Sequence, residues 1–378
     1  MGQSPKKEFV SSTQEGLPLL NGPTEFGSSH PTPVQWSTSF SKTAEPGDIL
    51  FCVRGSTTGR MNWADQQYAI GRGIASISAI NPQERHFVRA AIDLVLPELL
   101  AAATGSTFPN VSRLQLSELP VALPSAAVRT EISGLLGALD DKIDLHDRQR
   151  GLCRKLGLAY MSRLTRDAVK VPLKYYAKSI SRGVTPKYYK DEDTTPILVL
   201  NQRCVRDGWV SLDSARLMLP RVREKKAAIA EFDDLLVNST GQGTLGRVAR
   251  WSHQEPVYAD SHLTIVKADP QRIYPILLPY LVFPLQSAIE QMAEGSTGQT
   301  ELSPSNLGSL KVPLIRFEEQ NTVAAQLLAL EEMAHHCSIE TRILTELRDT
   351  LLPELMSGRM RVDEAGQLVS EALDKEVR

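Results

Sequence analysis

A chain of 378 residues is long enough for two or three domains with cores of their own. Its 42 lysines and arginines against 44 aspartates and glutamates leave a net charge of −2, so bulk charge does not announce a nucleic-acid binder. Any such binding must come from local patches or from partners. Cys52, Cys153, Cys204 and Cys337 form no C-x-x-C pair, so neither a zinc site nor a disulfide framework is indicated. The opening MGQSPKKEF has no apolar signal core and no stretch approaches a membrane span; the expectation is a soluble, cytoplasmic protein.

In chain order, GQSP at 2–5 comes first, and the apolar run GDILFCV at 47–53 reads as a strand. It enters RGSTTGR at 54–60, and YAIGRGIASI follows at 68–77. Gly55, Gly59, Gly71 and Gly73 thus stand among Arg54, Arg60 and Arg72. Glycine lets a backbone turn sharply or approach something closely. Arginine beside it suits phosphates or base edges. A solvated hairpin loop explains the same residues more plainly. Asn81-Pro82 then reads as a helix cap followed by proline at the first helical position. Residues 125–171 contain no proline, and Ile132, Leu136, Leu139 and Ile143 make an apolar seam at heptad spacing. A phase shift near Gly151 would continue that seam through Leu152, Leu156 and Ala159.

The chain then repeats itself, at an offset of about 185 to 192 residues. GVTP at 183–186 answers GQSP, and PILVLNQ at 196–202 answers GLPLLNG at 16–22. FDDLLVN at 232–238 answers the first strand, again entering a glycine turn that ends in Gly-Arg. YADSHLTIVK at 258–267 faces YAIGRGIASI with Tyr258 opposite Tyr68, and a Gly-Ser-Thr loop at Gly295 faces the one at Gly105. Residues 314–352 lack proline and glycine, and Leu327, Leu330, Ala334, Cys337, Leu344, Leu347 and Leu351 give the second seam. About 36 helical residues at 1.5 Å rise span roughly 50 Å, longer than a small domain is wide. Two such helices can cover each other's seams.

Catalytic signatures are missing. Gly241-Gln242-Gly243-Thr244-Leu245-Gly246 spells G-x-G-x-x-G with Asp260 beyond it, but RVARWSHQEP follows where a dinucleotide site needs a helix. There is no P-loop, H-E-x-x-H or G-x-S-x-G. His335 and His336 are helical neighbours that point to different faces and cannot chelate together. Asp140-Asp141 and Glu331-Glu332 hold comparable helical places in the two copies and read as a solvated face.

The succession of GQSP, GDILFCVRGSTTGR, YAIGRGIA, GSTFPNVS, LPVALP and LLGALDDKIDLHDR, a second copy, and a closing LLPELMSGRMRV resembles the specificity subunit of type I restriction–modification enzymes over almost the whole chain. The resemblance implies an α+β fold: two tandem-repeated target-recognition domains joined by two long antiparallel coiled-coil helices. The expected domains are 1–124, a central helix 125–170, a second recognition domain 171–315, a C-terminal helix 316–360 and a polar tail 361–378. The implied role is non-catalytic: each domain reads one half of a split double-stranded DNA target. Two methylation subunits and the restriction subunits assemble on the scaffold. S-adenosylmethionine, ATP and Mg2+ then belong to those partners, with no cofactor or metal in this chain. The candidate DNA-facing residues are Arg54, Ser56, Thr57 and Arg60 in the first turn, and Asn238, Gln242 and Arg247 in the second. Lys187, Tyr188 and Tyr189 after GVTP, with Gln3, Lys6 and Lys7 as counterparts, complete the set. A protein-interaction scaffold, or an inactive truncated specificity subunit without DNA readout, is the alternative. One departure stands out: the second copy opens with VPLKYYAKSISRG at 171–183, whereas the first begins inside the turn, so its opening strand is expected to be missing.

Overall fold

A computed structural model describes residues 1–101, 110–189, 195–220, 225–295 and 300–376. The Gly-Ser-Thr loops at Gly105 and Gly295 fall wholly or largely outside the described residues. The chain divides into two compact units, Met1–Arg148 with Cys337–Arg378, and Gln149–His336.

The first unit holds β1 (Val10–Ser11), β2 (Leu17–Leu20), β3 (Trp36–Ser37), β4 (Thr43–Ala44), β5 (Ile49–Cys52), β6 (Met61–Trp63), β7 (Tyr68–Ile70) and β8 (Ile74–Ile77). They form two small sheets, ordered β1-β3-β2-β7-β4 and β6-β5-β8. Helices α1 (Arg85–Ala101) and α2 (Arg113–Ser117) follow, then the start of α3 (Ala126–Leu164). Strand β5 is apolar on both sides because both are covered. Ile49 and Phe51 pack with Ile92 and Leu99 of α1, and Leu50 packs with Leu20, Tyr68 and Ile70 of the other sheet.

The second unit repeats this plan. It holds β9 (Lys170–Pro172), β10 (Ala177–Arg182), β11 (Ile197–Leu200), β12 (Val205–Arg206), β13 (Trp209–Val210), β14 (Arg216–Met218), β15 (Ile229–Ala230), β16 (Leu235–Asn238), β17 (Val248–Arg250), β18 (Val257–Ala259), β19 (Leu263–Ala268) and β20 (Lys311–Pro313). The sheets are β14-β11-β18-β15 and β10-β19-β16-β17. Short helices α4 (Leu277–Val282), α5 (Gln286–Gln291) and α6 (Pro304–Ser309) precede α7 (Phe317–Met356) and α8 (Val362–Glu376).

The repetition extends to single hydrogen bonds. A parallel pair sits at the heart of each first sheet, Leu20 beside Ile70 and Leu200 beside Ala259. Asp48 Oδ2 accepts from Glu45 N at 2.9 Å, and Asp234 Oδ2 accepts from Glu231 N at 2.7 Å. The registers correct the sequence alignment in one detail. Ile70 corresponds to Ala259 and Gly71 to Asp260, so Tyr68 and Tyr258 are not equivalent. The second copy also carries an added hairpin, β12–β13, turned by Asp207 and Gly208, both at positive φ. Among the described residues β10 has no counterpart in the first unit, where β8 pairs with β5 alone.

Gly2 and Gly183 hold the same place in the two copies. Gly2 N donates to Ile74 O at 2.8 Å and Gly183 N to Leu263 O at 3.0 Å. A Cβ on Gly183 would sit 2.1 Å from Asp260 O and 2.3 Å from Ala259 O, both backbone atoms with little room to yield. Overpacking of this kind costs about 1–3 kcal/mol. Gly183→Ala is therefore expected to lower the free energy of urea unfolding by that amount, and Gly366→Ala, at an open position on α8, to cost less.

The long helices are antiparallel within each unit. In the first, Ile132, Leu136 and Phe87 pack with Leu351 and Leu355, and Leu139 and Leu344 are buried. Ile143 and Leu347 are half-buried at the seam's edge. The expected polar tail is instead α8, which packs Ala365, Val362 and Val369 onto this cluster, so that segment is a docked amphipathic helix. The expected phase shift near Gly151 does not occur. The heptad continues through His146, Cys153, Gly157 and Met161, which are buried, while Leu152 and Leu156 are 63% and 45% exposed. On α7 the seam passes Leu327, Glu331 and Ala334, and Leu330 is only half-buried. Leucine content misled the reading because the true seam carries polar residues with partners.

Those partners are ionic. In the first unit, Asp140 Oδ1 accepts from Arg348 Nη1 at 3.0 Å, and Asp140 Oδ2 lies 3.3 Å from His86 Nδ1. Burial raises the Asp140 pKa, but His86 and Arg348 outweigh it and hold the carboxyl below its ordinary value. A depressed acid stabilises the fold above its unfolded pKa and loses that contribution as pH falls through the folded value. Acid unfolding should therefore show a contribution that is full above about pH 4, fades as pH falls below it, and is removed by Asp140→Asn.

Candidate nucleic-acid interface

In each unit the turns leaving the central strands gather at one edge. In the first, β5 delivers Cys52 into the turn at 53–60. Gly55 and Gly59 take φ of 94° and 92°, Gly59 N donates to Cys52 O at 2.8 Å, and Thr58 N to Gly55 O at 3.2 Å. Val53 N donates to Gly73 O, Gly71 N to Leu20 O, and Gln3 N to Ile70 O. The 2–7, 21–22, 53–60 and 71–73 segments are thus tied into one rim. The spacing of Gly71 and Gly73 has a local cause: a Cβ at either would meet Asn21 within 2.4 Å.

In the second unit Gly241, Gly243 and Gly246 all have positive φ, Gly246 N donates to Asn238 O at 2.9 Å, and Thr244 N to Gly241 O at 3.1 Å. The next element is strand β17, so the G-x-G-x-x-G string opens no helix. Val184 N donates to Ala259 O and Asp260 N to Leu200 O, which draws 183–188, 201–203, 238–247 and 260–262 into the matching rim. Asp260 is 1% exposed; burial raises its pKa, and Oδ1 accepts from His262 N at 2.9 Å. It is a brace inside the rim.

The candidate residues divide by what their side chains do. Arg54, Ser56, Thr57 and Gln242 are exposed on their turns, as are Lys7 and Lys187. Lys6 is exposed, 3.9 Å from Glu8. Tyr188 is exposed with Arg216 over its ring at 5.0 Å, and Tyr189 N donates to Leu217 O. Gln3 Oε1 accepts from Ser41 Oγ at 3.0 Å. Arg60 is largely occupied: Nη2 donates to Phe26 O at 2.9 Å, and the guanidinium lies over the Phe26 ring. Arg247 Nη2 donates to Gly243 O at 2.9 Å, bracing its own turn. Asn238 corrects an expectation. It is 0% exposed, and Nδ2 donates to Gln202 O at 2.8 Å and Thr244 O at 3.0 Å, so it holds the turn from beneath and offers nothing to a ligand.

Sequence reasoning missed Arg203 and Arg216, both exposed on the rim or beside Tyr188. The signal was the strand-end match of Asn201 to Asn21, which puts 202–203 beside Asn238. The exposed rim side chains carry mainly positive charge, with hydroxyls and amides between them. Such a surface positions phosphates and, through arginine or glutamine, reaches base edges.

Among the described residues no three His, Cys, Asp or Glu side chains are grouped to hold a metal ion, and no helix is long and apolar enough to cross a membrane.

Fold and rim together define a class: a duplicated α+β module, each copy set against a pair of long helices. Residues 26–151 match the family model described as "Type I restriction modification DNA specificity domain". A curated protein of Methanocaldococcus jannaschii, named as the type I restriction enzyme MjaX specificity subunit, is 28% identical over 172 residues. That alignment takes in 45% of this chain and 40% of the relative's length. The type I restriction–modification S subunit from M. genitalium is 20% identical with a TM-score of 0.56, covering 94% of this chain and 92% of that one, and so shares the fold. The chain thus carries a match to the type I restriction–modification DNA specificity domain over residues 26–151 and is similar in sequence and fold to specificity subunits of these systems.

Proposed function

We propose that this chain is a non-catalytic DNA-reading subunit in which each rim reads one half of a bipartite target. The observation that carries the reading is the repetition of the rim: the same backbone ties hold a positive-φ glycine turn at the same strand end in both copies, while the exposed side chains differ. One scaffold with two different sets of contacts is what two unlike half-sites require. Phosphate contacts from lysine, hydroxyls and amides would place each rim, and arginine or glutamine at its tip would discriminate bases.

The methylation subunits are proposed to dock on the outer faces of the long helices, where Leu152 and Leu156 stand exposed one turn apart. Restriction subunits join that assembly. S-adenosylmethionine, ATP and Mg2+ are assigned to those partners.

The test is methylome mapping of cells carrying this chain and its methylation partner, against cells lacking the chain. Two short half-sites around a fixed spacer are expected; unchanged methylation with a bound, expressed partner would point to a scaffold without DNA readout. At residue level, Arg54→Ala is expected to weaken DNA binding by the assembled complex. If Arg54 meets a phosphate, the slope of log K against log salt falls by about one; if it meets a base, about 1–3 kcal/mol is lost at one position. Asn238→Gln, which acts only on the buried brace, should instead lower stability.

A further inference from the structure

Within the second unit, the recognition domain meets its helices through a buried ionic clamp. Arg154 on α3 is 9% exposed, and its guanidinium lies 4.1 Å from the ring centres of both Trp209 and Phe283. Nη1 and Nη2 both donate to Gly208 O at 3.2 Å, so the arginine grips the added β12–β13 hairpin as a fork. Nη2 lies 3.6 Å from Oε1 of Glu331 on α7. Glu331 Oε2 accepts from Nη1 of Arg250 on β17 at 2.7 Å, and Oε1 accepts from the Tyr280 hydroxyl on α4. Arg250 Nε completes the set on Asp233 Oδ1 at 2.6 Å. Two arginines and two carboxylates balance in charge, and six segments of the unit converge on them.

The geometry is directional where an apolar seam is not. Leucine faces slide and re-pack at small cost, whereas a bidentate fork and a stacked guanidinium fix angle and height together. Buried ionic groups are weak contributors to stability against apolar replacements of similar volume. That leaves positioning as the use for this network. The first unit shows the contrast. Trp63 stands where Arg250 does, with Arg85 and Arg89 over its ring, so the cross-helix pair Asp140–Arg348 meets no arginine from that strand and borders a cavity of about 590 Å3 instead.

We infer that Arg154, Arg250 and Glu331 are positioning residues that lock the second recognition domain onto its helices and thereby set how strictly the complex demands one spacer between the half-sites. This rests on the proposed bipartite reading. The experiment replaces all three by apolar residues of similar size, Arg154→Met, Arg250→Met and Glu331→Leu, in the full chain assembled with its methylation subunits. Methylation is measured on duplexes carrying both half-sites with the spacer shortened or lengthened by one or two base pairs. The expected result is unchanged half-site sequences, an unfolding temperature lowered only by the unpaired Asp233 carboxyl and Tyr280 hydroxyl, and activity at the off-length spacers rising at least ten-fold relative to the parent spacer. Amide exchange at 205–210 should rise while β16 and β19 stay protected. If spacer preference and hairpin exchange are both unchanged in a folded triple variant, the inference is overturned.

Should the triple variant not fold, Arg154→Lys keeps the charge and loses the fork. It should relax the spacer in the same direction, and an unchanged preference would again overturn the idea. A parent complex that methylates no split motif refutes the bipartite reading itself. The clamp is then judged by hairpin exchange alone, which must rise in the variants for the locking role to survive.

Discussion

Glu331→Ala is expected to destabilise the second unit by about 3–5 kcal/mol, the range for removing one partner of a buried ion pair. The reason is the company Glu331 keeps: it is 5% exposed, takes a short hydrogen bond from Arg250, and faces Arg154. Its removal leaves Arg154 buried without its carboxylate and Arg250 with Asp233 alone, and strips the Tyr280 hydroxyl of its acceptor. A cavity of several methylene groups adds to this. The neighbouring Glu332 is exposed, and Glu332→Ala should fall within about 0.5 kcal/mol of the parent. Urea unfolding of the full chain decides the matter, followed by tryptophan emission, since Trp209 stacks on Arg154 inside the clamp. A loss below 1 kcal/mol for Glu331→Ala would mean that water reaches the pair and that the clamp is not a buried one.

The same pair of residues shows where sequence reading succeeds and where it stops. The repeat was legible because strand ends carry their own punctuation. Gly59-Arg60 against Gly246-Arg247 and Asn21 against Asn201 mark positions where backbone geometry restricts the residue. The first seam was legible as far as its buried residues were apolar. Beyond Ile143 the heptad holds, but its occupants become His146, Cys153 and Gly157, and pattern reading moved to the nearest leucines, which face outward. Glu331 was taken for a solvated residue because nothing in its neighbourhood reveals Arg250, 81 residues away. The rim was legible in its turns and not in its side chains. Asn238, chosen for its amide, is buried by a fold that only the pairing of β16 with β17 and β19 defines. Compensation between the copies is likewise invisible in one dimension. Gly47 and Asp233 share one turn position with φ near 91° and 71°. Asp233 accepts that left-handed backbone in the copy where its carboxylate meets Arg250, and glycine serves in the copy where the partner strand presents Trp63.

The second large effect concerns specificity. On the proposed bipartite reading, exchanging the second unit's domain for that of a type I specificity subunit should replace one half of the target and leave the other half and the spacer alone. The structure locates where the exchange must be cut. β9 and β20 pair antiparallel, Val171 opposite Val312, and close the domain at its root. Leu173 N donates to Leu310 O at 2.8 Å, just inside that ladder. A graft of residues 173–310 therefore leaves the ladder and both long helices with the host. Several constraints cross the junction: Gln320 of the host's α7 accepts from Tyr274 N and donates to Arg272 O, both at 3.0 Å and both on the graft's backbone. Tyr176 lies inside the graft and accepts from Ile315 N at 2.7 Å outside it, and Gly208, Arg250 and Tyr280 must meet the host's Arg154 and Glu331. A donor that keeps these four residues should yield a folded chain whose new half-site is the donor's, with each mismatched base of the old half costing about 1–3 kcal/mol. A donor that lacks them should assemble poorly or accept several spacers. Methylome mapping of the graft reads both results at once. A change in both halves, or in neither, would mean that the rims do not read DNA independently, and the one-domain, one-half-site assignment would have to be abandoned.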